Sequence, residues 1–373
     1  MNEQPADRTT SVRGARRRPR RRKAALTALL AALAAVAVAC GGGSIDEVGD
    51  DAAVPSAGTD AAAPEVTIRL AMPVDPLWQW LVDSGTRDSW EARHGIRIET
   101  SHPFRPFTAL VSGHADVILV NALGIPALTR GLDHEPVIFG KYATDRSVAA
   151  VWRTSQAADF GDVMEATVAV DSEFGATLLW ALIVDEAHGL DFSDGGPDYE
   201  FLTASLDLGD AVDRGEADAC ICMPDHNAGD LSAGLLRPLY DGLSASRLYA
   251  TLVDDPSRLP LGEVFLADGS WYAAHPEAAA AFLELWELAV QHWHDHSADV
   301  IAAYPELLSV QSEAESAWLV GYVADNNWIV ETVHVDAAEA QTYAAAVERL
   351  REIGLIEADA PVTRVVHEGP SGG

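Results

Sequence analysis

Apolar and polar positions follow two periods along this chain, and each switch between them marks an element. Val66 to Ala71 is a short β-type run that stops at Pro73, and the apolar-periodic stretch Leu77 to Ala92 predicts a helix. Ile96 to Thr100 predicts the next strand, Phe107 to Val111 a short helix, and Asp116 to Val120 a third strand after Ser112-Gly113-His114. A helix over Leu123 to Thr129 and strands over Pro136 to Gly140 and Val148 to Trp152 continue the alternation. The pattern then starts afresh: strand Thr167 to Val170, helix Ala176 to His188, strand Tyr199 to Thr203, helix Asp207 to Arg214 and strand Ala217 to Met223. Strands alternating with helices imply largely parallel sheets covered on both faces. After strands near Leu248 to Val253 and Val264 to Ala267 the chain turns helical, over His275 through His292, Asp299 to Leu308, Glu313 to Val323 and Asp336 to Ile353. Phe282, Trp286 and Trp293 recur there at helical spacing, as a core-facing stripe does. Two α/β units and a helical return predict two lobes with a cleft between them; no repeat at solenoid period interrupts them.

The first forty residues are patterned differently. A basic run from Arg13 to Lys23 precedes an apolar stretch from Ala24 to Val38 and the small-residue ending Ala37-Val38-Ala39-Cys40, the order of a secretion signal. The apolar stretch has 15 residues, short of the roughly 20 that span a bilayer as a helix, and a cysteine follows directly. The ending resembles a bacterial lipoprotein lipobox, with Ala37 where that pattern prefers Leu or Val. The resemblance implies removal of residues 1–39, lipid on Cys40, and an extracytoplasmic protein anchored to the cell membrane. Gly41-Gly42-Gly43-Ser44 and an acidic, Ala-rich stretch to Pro64 lack the large apolar residues of a core, so residues 40–64 are expected to be a flexible acidic tether.

About 310 residues remain, enough for two medium lobes. Without residues 1–39 the chain has 16 Lys and Arg against 55 Asp and Glu, a formal charge of −39. That balance argues against nucleic acid and against electrostatic attraction to anionic lipid. It suits a cationic solute, or simply an acidic solubilising surface. Cys220 and Cys222 would share a face of one strand with Cα atoms about 6.6 Å apart, at the upper limit for a disulfide. Two buried free thiols acting as small hydrophobes are therefore expected.

Three segments resemble the substrate-binding proteins of the nitrate, sulfonate and taurine type, a family that also includes binders of the thiamine pyrimidine precursor. The first runs from Phe107 to Val117, through Ala109-Leu110-Val111-Ser112-Gly113-His114-Ala115-Asp116. The second comprises Phe160 to Val170, Phe174 to Leu190 and Asp210 to Ala219, ending near Met223-Pro224-Asp225. The third is His275-Pro276-Glu277 to Phe282-Leu283. Together they span most of residues 65–355. The resemblance implies a type II periplasmic-binding fold, each lobe a mixed, mostly parallel sheet flanked by helices, with a helical C-terminal part. Residues 65–150 plus 255–373 would form lobe I, residues 151–254 lobe II, and two crossings the hinge. The implied function is capture of a small organic solute (a sulfonate, a pyrimidine or another aromatic type) and delivery to the transmembrane subunits of an ABC permease, by a monomer without cofactor or covalent chemistry. A sensor fed by the same binding lobes stays open.

Open α/β sheets bind at the carboxyl ends of their strands. Those ends offer Asp75, Trp78 and Trp80, then Phe104 and Arg105, then Asn121. In the second lobe, Asp171-Ser172-Glu173-Phe174-Gly175-Ala176-Thr177 joins a strand to a helix start, where Ser172, Glu173, Phe174, Gly175 and Thr177 can meet a ligand and free backbone N–H groups favour an anionic or carbonyl group. Glu173 departs from that preference, which counts against nitrate and, less firmly, against sulfonate. Trp78, Phe104 and Phe174 can sandwich a flat solute, with Asp225 or Glu173 on its polar edge; each aromatic taken alone is more often ordinary packing, and the group is better evidence than any member. Arg105 fits a carboxylate or sulfonate clamp or a solvated loop. A rival reading puts a metal on His292, His294 and His296, with Asp295 or Glu287 nearby, as in a metal-binding lipoprotein or secreted metalloenzyme. The spacing is not His-Glu-x-x-His, and the chain carries no Gly-x-Ser-x-Gly elbow, Walker loop or Gly-x-Gly-x-x-Gly.

Overall fold

The computed structural model describes residues 66–129, 135–203, 208–253 and 260–367. The expected signal (residues 1–39), the tether (residues 40–64) and Cys40 lie outside them. In chain order the described residues form β1 (Val66–Ala71), α1 (Pro76–Asp83), α2 (Thr86–His94), β2 (Ile96–Ser101), α3 (Pro106–Val111), β3 (Val117–Asn121), α4 (Ile125–Leu128) and β4 (Val137–Ala143). Then come β5 (Val148–Trp152), β6 (Ala166–Val170), α5 (Ala176–His188), β7 (Tyr199–Thr203), α6 (Gly209–Asp213), β8 (Ala219–Cys222), α7 (Ala228–Ser232), β9 (Leu236–Pro238) and α8 (Ala245–Leu252). The last part comprises β10 (Glu263–Ala267), α9 (Gly269–Ala274), α10 (Pro276–Ala303), α11 (Glu313–Asn326), α12 (Ala337–Glu352) and β11 (Arg364–Val365).

Two mixed sheets result, in the orders β11-β4-β10-β3-β1-β2 and β7-β6-β8-β5-β9. In each, one strand runs against both neighbours: β10 against β3 and β4, and β5 against β8 and β9. Both are the strands by which the chain enters a sheet from the other one. All the described residues belong to one compact unit. Its largest core reaches across both sheets, joining Ile118 and Leu266 of the first to Val151 and Val168 of the second through α5 and α12. Every residue of α5 from Ala176 to Val184 is buried, as expected of a helix apolar on all faces. A second core packs α1, α2 and α10 on the first sheet, and Phe282, Trp286 and Trp293 lie buried in it.

Several sequence expectations need correction. The helix expected over Leu77 to Ala92 is two, α1 and α2, because Gly85 takes a left-handed conformation at φ 70°, which glycine adopts without penalty. Leu248 to Val253, read as a strand, belongs to helix α8 and its end; the Ser244 hydroxyl accepts from the Arg247 N–H at 3.3 Å and starts the helix. Its β-prone residues mask that N-cap. The separate helices expected at His275 and Asp299 are one, α10, continuing to Ala303 with a non-helical residue at His296 (φ −143°). Cys220 and Cys222 form a disulfide instead of remaining thiols, since β8 bends enough to bring their Cα atoms to 5.3 Å.

Candidate functional site

The chain passes from the first sheet to the second through Thr144 to Ser147 and returns by way of α8, and these two crossings bond to each other. The Asp145 N–H donates to the Ser246 hydroxyl at 2.8 Å, the Ser246 N–H to the Asp145 carbonyl at 3.2 Å, and the Ala245 N–H to the Ser147 carbonyl at 2.9 Å. The return segment then lies flat on the first crossing at Gly262, where a Cβ would stand 2.5 Å from the Ala143 carbonyl oxygen and 2.7 Å from the Asp145 nitrogen.

Arg146 projects from the first crossing into the junction of the sheets. Its Nε and Nη2 donate to the two oxygens of Asp225, in the loop after β8, at 3.3 and 3.2 Å. Its Nη1 donates to Glu263, the first residue of β10, at 3.0 Å. The guanidinium lies 4.6 Å from the ring centre of Trp328, a cation–π contact. Burial disfavours the Arg146 charge, but Asp225 and Glu263 outweigh it and raise the pKa. Burial likewise opposes the Asp225 charge, and Arg146 with His226 overcomes it, so Asp225 is held below the ordinary carboxylate range. A fork joining a loop of one sheet to a strand of the other is a geometry arginine suits.

Around this pair stand more acids. Asp75 caps α1, accepting from the Trp78 N–H at 2.8 Å and from the Tyr142 hydroxyl at 2.6 Å. Asp145 accepts from the Ser147 N–H at 3.1 Å and hydroxyl at 2.6 Å; that hydroxyl also accepts from the Trp180 indole at 2.9 Å. Burial raises the pKa of Asp75, Asp145 and Glu263 despite their donors. Asp171, at the end of β6, is raised by burial and then by the charge of Asp145. Neutral forms are favoured wherever water is replaced by a poorer solvent for charge.

The structure thus draws Asp75 and Asp225 of the sequence-predicted set to one place, with Asn121 beside Asp145. The Asn121 side-chain oxygen accepts from the Leu123 N–H at 3.1 Å, shaping the turn after β3. The loop before α5 sits at the same junction. Its Phe174 carbonyl lies so near Gly124 that a Cβ there would be 2.1 Å away. Within the loop the Ser172 hydroxyl accepts from the Phe174 N–H at 3.1 Å, and the Thr177 hydroxyl donates to the Ser172 carbonyl at 2.5 Å. Gly175 precedes α5 with no side chain capping the helix start. Glu173 is exposed, Phe174 is partly so, and Arg105 and Phe104 stand in solvent, Phe104 at 87% exposure.

Trp78 is 5% exposed and stacks on Trp286 with ring centres 5.8 Å apart, in the core under α1. Trp78→Ala is expected to cost about 3–5 kcal/mol, whereas Phe174→Ala should stay within about 0.5 kcal/mol in the absence of solute; urea denaturation of both variants checks the contrast. Trp80 stacks on His292 at 3.8 Å. The histidines do not assemble a metal centre: His294 bonds the Val330 carbonyl at 2.9 Å, and Glu287 accepts from Val333 and Thr332. Among the described residues no group of three or more His, Cys, Asp or Glu is arranged to hold a metal ion. Sequence reasoning passed over Arg146, Asp145, Tyr142 and Glu263. The readable signal was a charged pair, Asp145-Arg146, wedged between the apolar runs of β4 and β5.

A polar cavity of about 330 Å³ opens where α7 meets α11, lined by Asp210, His226, Asp230, Ser309 and Glu315 among others. His226 lies 3.9 Å from Asp225 there and links the cavity wall to the buried cluster.

No family model matches the chain, and no curated protein matches it in sequence. Solved structures do. The alkanesulfonate-binding protein SsuA from Xanthomonas axonopodis pv. citri, bound to MOPS, is similar with a TM-score of 0.64 at 16% identity, over 82% of this chain and 100% of that one. The periplasmic aliphatic sulphonate-binding protein SsuA from Escherichia coli gives 0.62 at 16% identity, over 79% and 95%. The periplasmic nitrate-binding protein NrtA from Synechocystis PCC 6803 gives 0.56 at 12% identity, over 81% and 85%. The chain therefore has the fold of these periplasmic binding proteins, as the sequence resemblance implied.

Proposed function

We propose that the chain is an extracytoplasmic solute-binding protein that captures a small organic solute between two lobes and hands it to the transmembrane subunits of an ABC permease. The carrying observation is the pair of crossings bonded side by side at a charged junction, in a fold shared with sulfonate- and nitrate-binding proteins. Lobe I would comprise residues 65–143 and 260–373 and lobe II residues 148–253, the boundary expected at residue 150 moving back because β5 belongs to the second sheet. A hinge of two adjacent segments lets such lobes open and shut as rigid bodies. The solute site would be the junction itself, with Asp75, Asn121, Ser172, Gly175, Thr177 and Asp225 joined by Arg146, and with Phe104, Arg105, Glu173 and Phe174 at its mouth. The Cys220–Cys222 disulfide supports an oxidising compartment. Lipid on Cys40 would hold the monomer to the cell membrane, with no nucleic acid among its partners.

A thermal-shift screen across sulfonates, pyrimidines, amines and aromatic acids tests the capture step. A true solute at about a hundredfold over its Kd stabilises by about 2.7 kcal/mol, a rise of several degrees. A melting curve unmoved by every class would remove the reading. Metabolic labelling with palmitate, present in the chain and absent from Cys40→Ala, tests the anchor.

A further inference from the structure

Five carboxylates meet at the junction of the sheets, and Arg146 is the one arginine or lysine among the described residues that bonds to them. Three of its five N–H groups, one on each nitrogen, are taken by Asp225 and Glu263. Asp75, Asp145 and Asp171 are left with neutral donors: Tyr142 and the Trp78 N–H for the first, Ser147 for the second, and backbone amides for the third. Asp145 is only 5% exposed, and its Oδ2 is buried with no hydrogen-bond partner. The Asn121 amide stands beside that carboxyl and falls short of hydrogen-bonding geometry. Asp171, from the other sheet, feels the Asp145 charge directly and is less deeply buried.

Taking this junction as the solute cleft, as proposed above, we infer that the solute is a small organic cation whose ammonium or guanidinium group enters between Asp145 and Asp171, with Asp75 and Asn121 on the first-sheet side. A buried oxygen without a donor, close enough to a second acid to feel its charge, is the arrangement that a positively charged donor completes. A sulfonate would instead meet three acids that bond to no cation and an arginine whose charge is already shared by two carboxylates.

Binding would be linked to protons. Asp75 faces Tyr142, Arg146 and Glu263; Asp145 faces Arg146, Asp171 and Tyr322; Asp171 faces Asp145 and Arg146; Glu263 also faces Asp225, itself beside His226. The raised acids hold protons more firmly than free carboxylates while the site is empty, and an entering cation expels them. Affinity therefore increases with pH until the acids are ionised.

Calorimetric titration of the full chain decides the matter, with benzylammonium, agmatine and tetramethylammonium as probes, and ethanesulfonate and benzyl alcohol beside them. Runs at pH 5 and pH 8, in two buffers of different ionisation enthalpy, report proton release. At least one cation is expected to bind saturably, at least tenfold tighter at pH 8, with protons released and flat heats for ethanesulfonate. Asp145→Asn and Asp171→Asn should each weaken that cation at least tenfold while leaving the solute-free melting temperature unchanged or higher. If either variant fails to fold, the pH dependence and proton release of the unaltered chain carry the decision. Binding of ethanesulfonate with no cation bound would overturn the charge inference and leave the solute-binding reading standing. Cation binding that ignores pH and both variants would move the cation elsewhere. Silence from every probe would take down both readings.

Discussion

Arg146→Met is expected to cost about 3–5 kcal/mol of folding stability at neutral pH, the loss that follows when one partner of a buried ion pair is removed. Methionine fills similar volume, so packing contributes little, and the cost comes from Asp225 and Glu263 left without their guanidinium. A triple variant that also carries Asp225→Asn and Glu263→Gln should recover most of the loss, because neutral amides do not need the cation; urea denaturation at pH 7 reads both. The pH dependence separates this from a packing defect. In the unaltered protein the Asp225 pKa is depressed, so its contribution is present above the ordinary carboxylate range and disappears as pH falls through the depressed value. Without Arg146 only His226 and a backbone amide still oppose burial, and the Asp225 pKa rises. The variant should then regain stability as pH drops from 7 towards the ordinary carboxylate range, where Asp225 takes up its proton in the folded state. A loss equal at pH 7 and pH 5 would mean that the guanidinium serves packing alone.

The second large effect is expected at Gly262→Ala. Its added Cβ would stand 2.5 Å from the Ala143 carbonyl oxygen and 2.7 Å from both the Thr144 carbonyl carbon and the Asp145 nitrogen. These are backbone atoms of the opposite crossing, so no side-chain rotation relieves the overlap. Overpacking commonly costs about 1–3 kcal/mol, and displacement of the crossing would also strain the bonds from Ala122 to the Gly262 carbonyl at 2.8 Å and from Asp145 to Ser246. A loss of about 3 kcal/mol by urea denaturation is expected, together with faster hydrogen exchange at the Asp145 and Ala245 amides. Unchanged exchange at those two amides would show that the crossings are not coupled there.

Local pattern gave much of the scaffold. The helix expected over Ala176 to His188 has those bounds in the structure, and the strands at Val66, Ile96, Val148 and Tyr199 stand where alternation predicted them. Each is a run whose neighbours along the chain also decide its burial. The failures have equally local causes. Residues 248–253 carry Leu, Tyr, Thr and Val, which suit a strand, and only the Ser244 cap and the burial of Ala245 and Leu248 make the segment a helix. The disulfide was missed because ideal strand geometry sets Cys220 and Cys222 too far apart, and a bend in one strand is a property of the sheet around it.

For the candidate site the division is sharper. The strand-end rule reached Asp75, Asn121 and Asp225 because a fold implied where strands end. It passed over Arg146, whose partners lie 79 and 117 positions away in the chain. By itself the sequence determined an acidic body, the alternation of strands and helices, and an apolar stripe on the long helix, since all of these depend on composition or on residues close to one another in the chain. Only the tertiary structure decided which acids share the single guanidinium, which are left without a cation, and that Trp78 belongs to the core. Charge pairing and desolvation depend on distances through space, and two crossings between the sheets bring those groups together from remote parts of the chain.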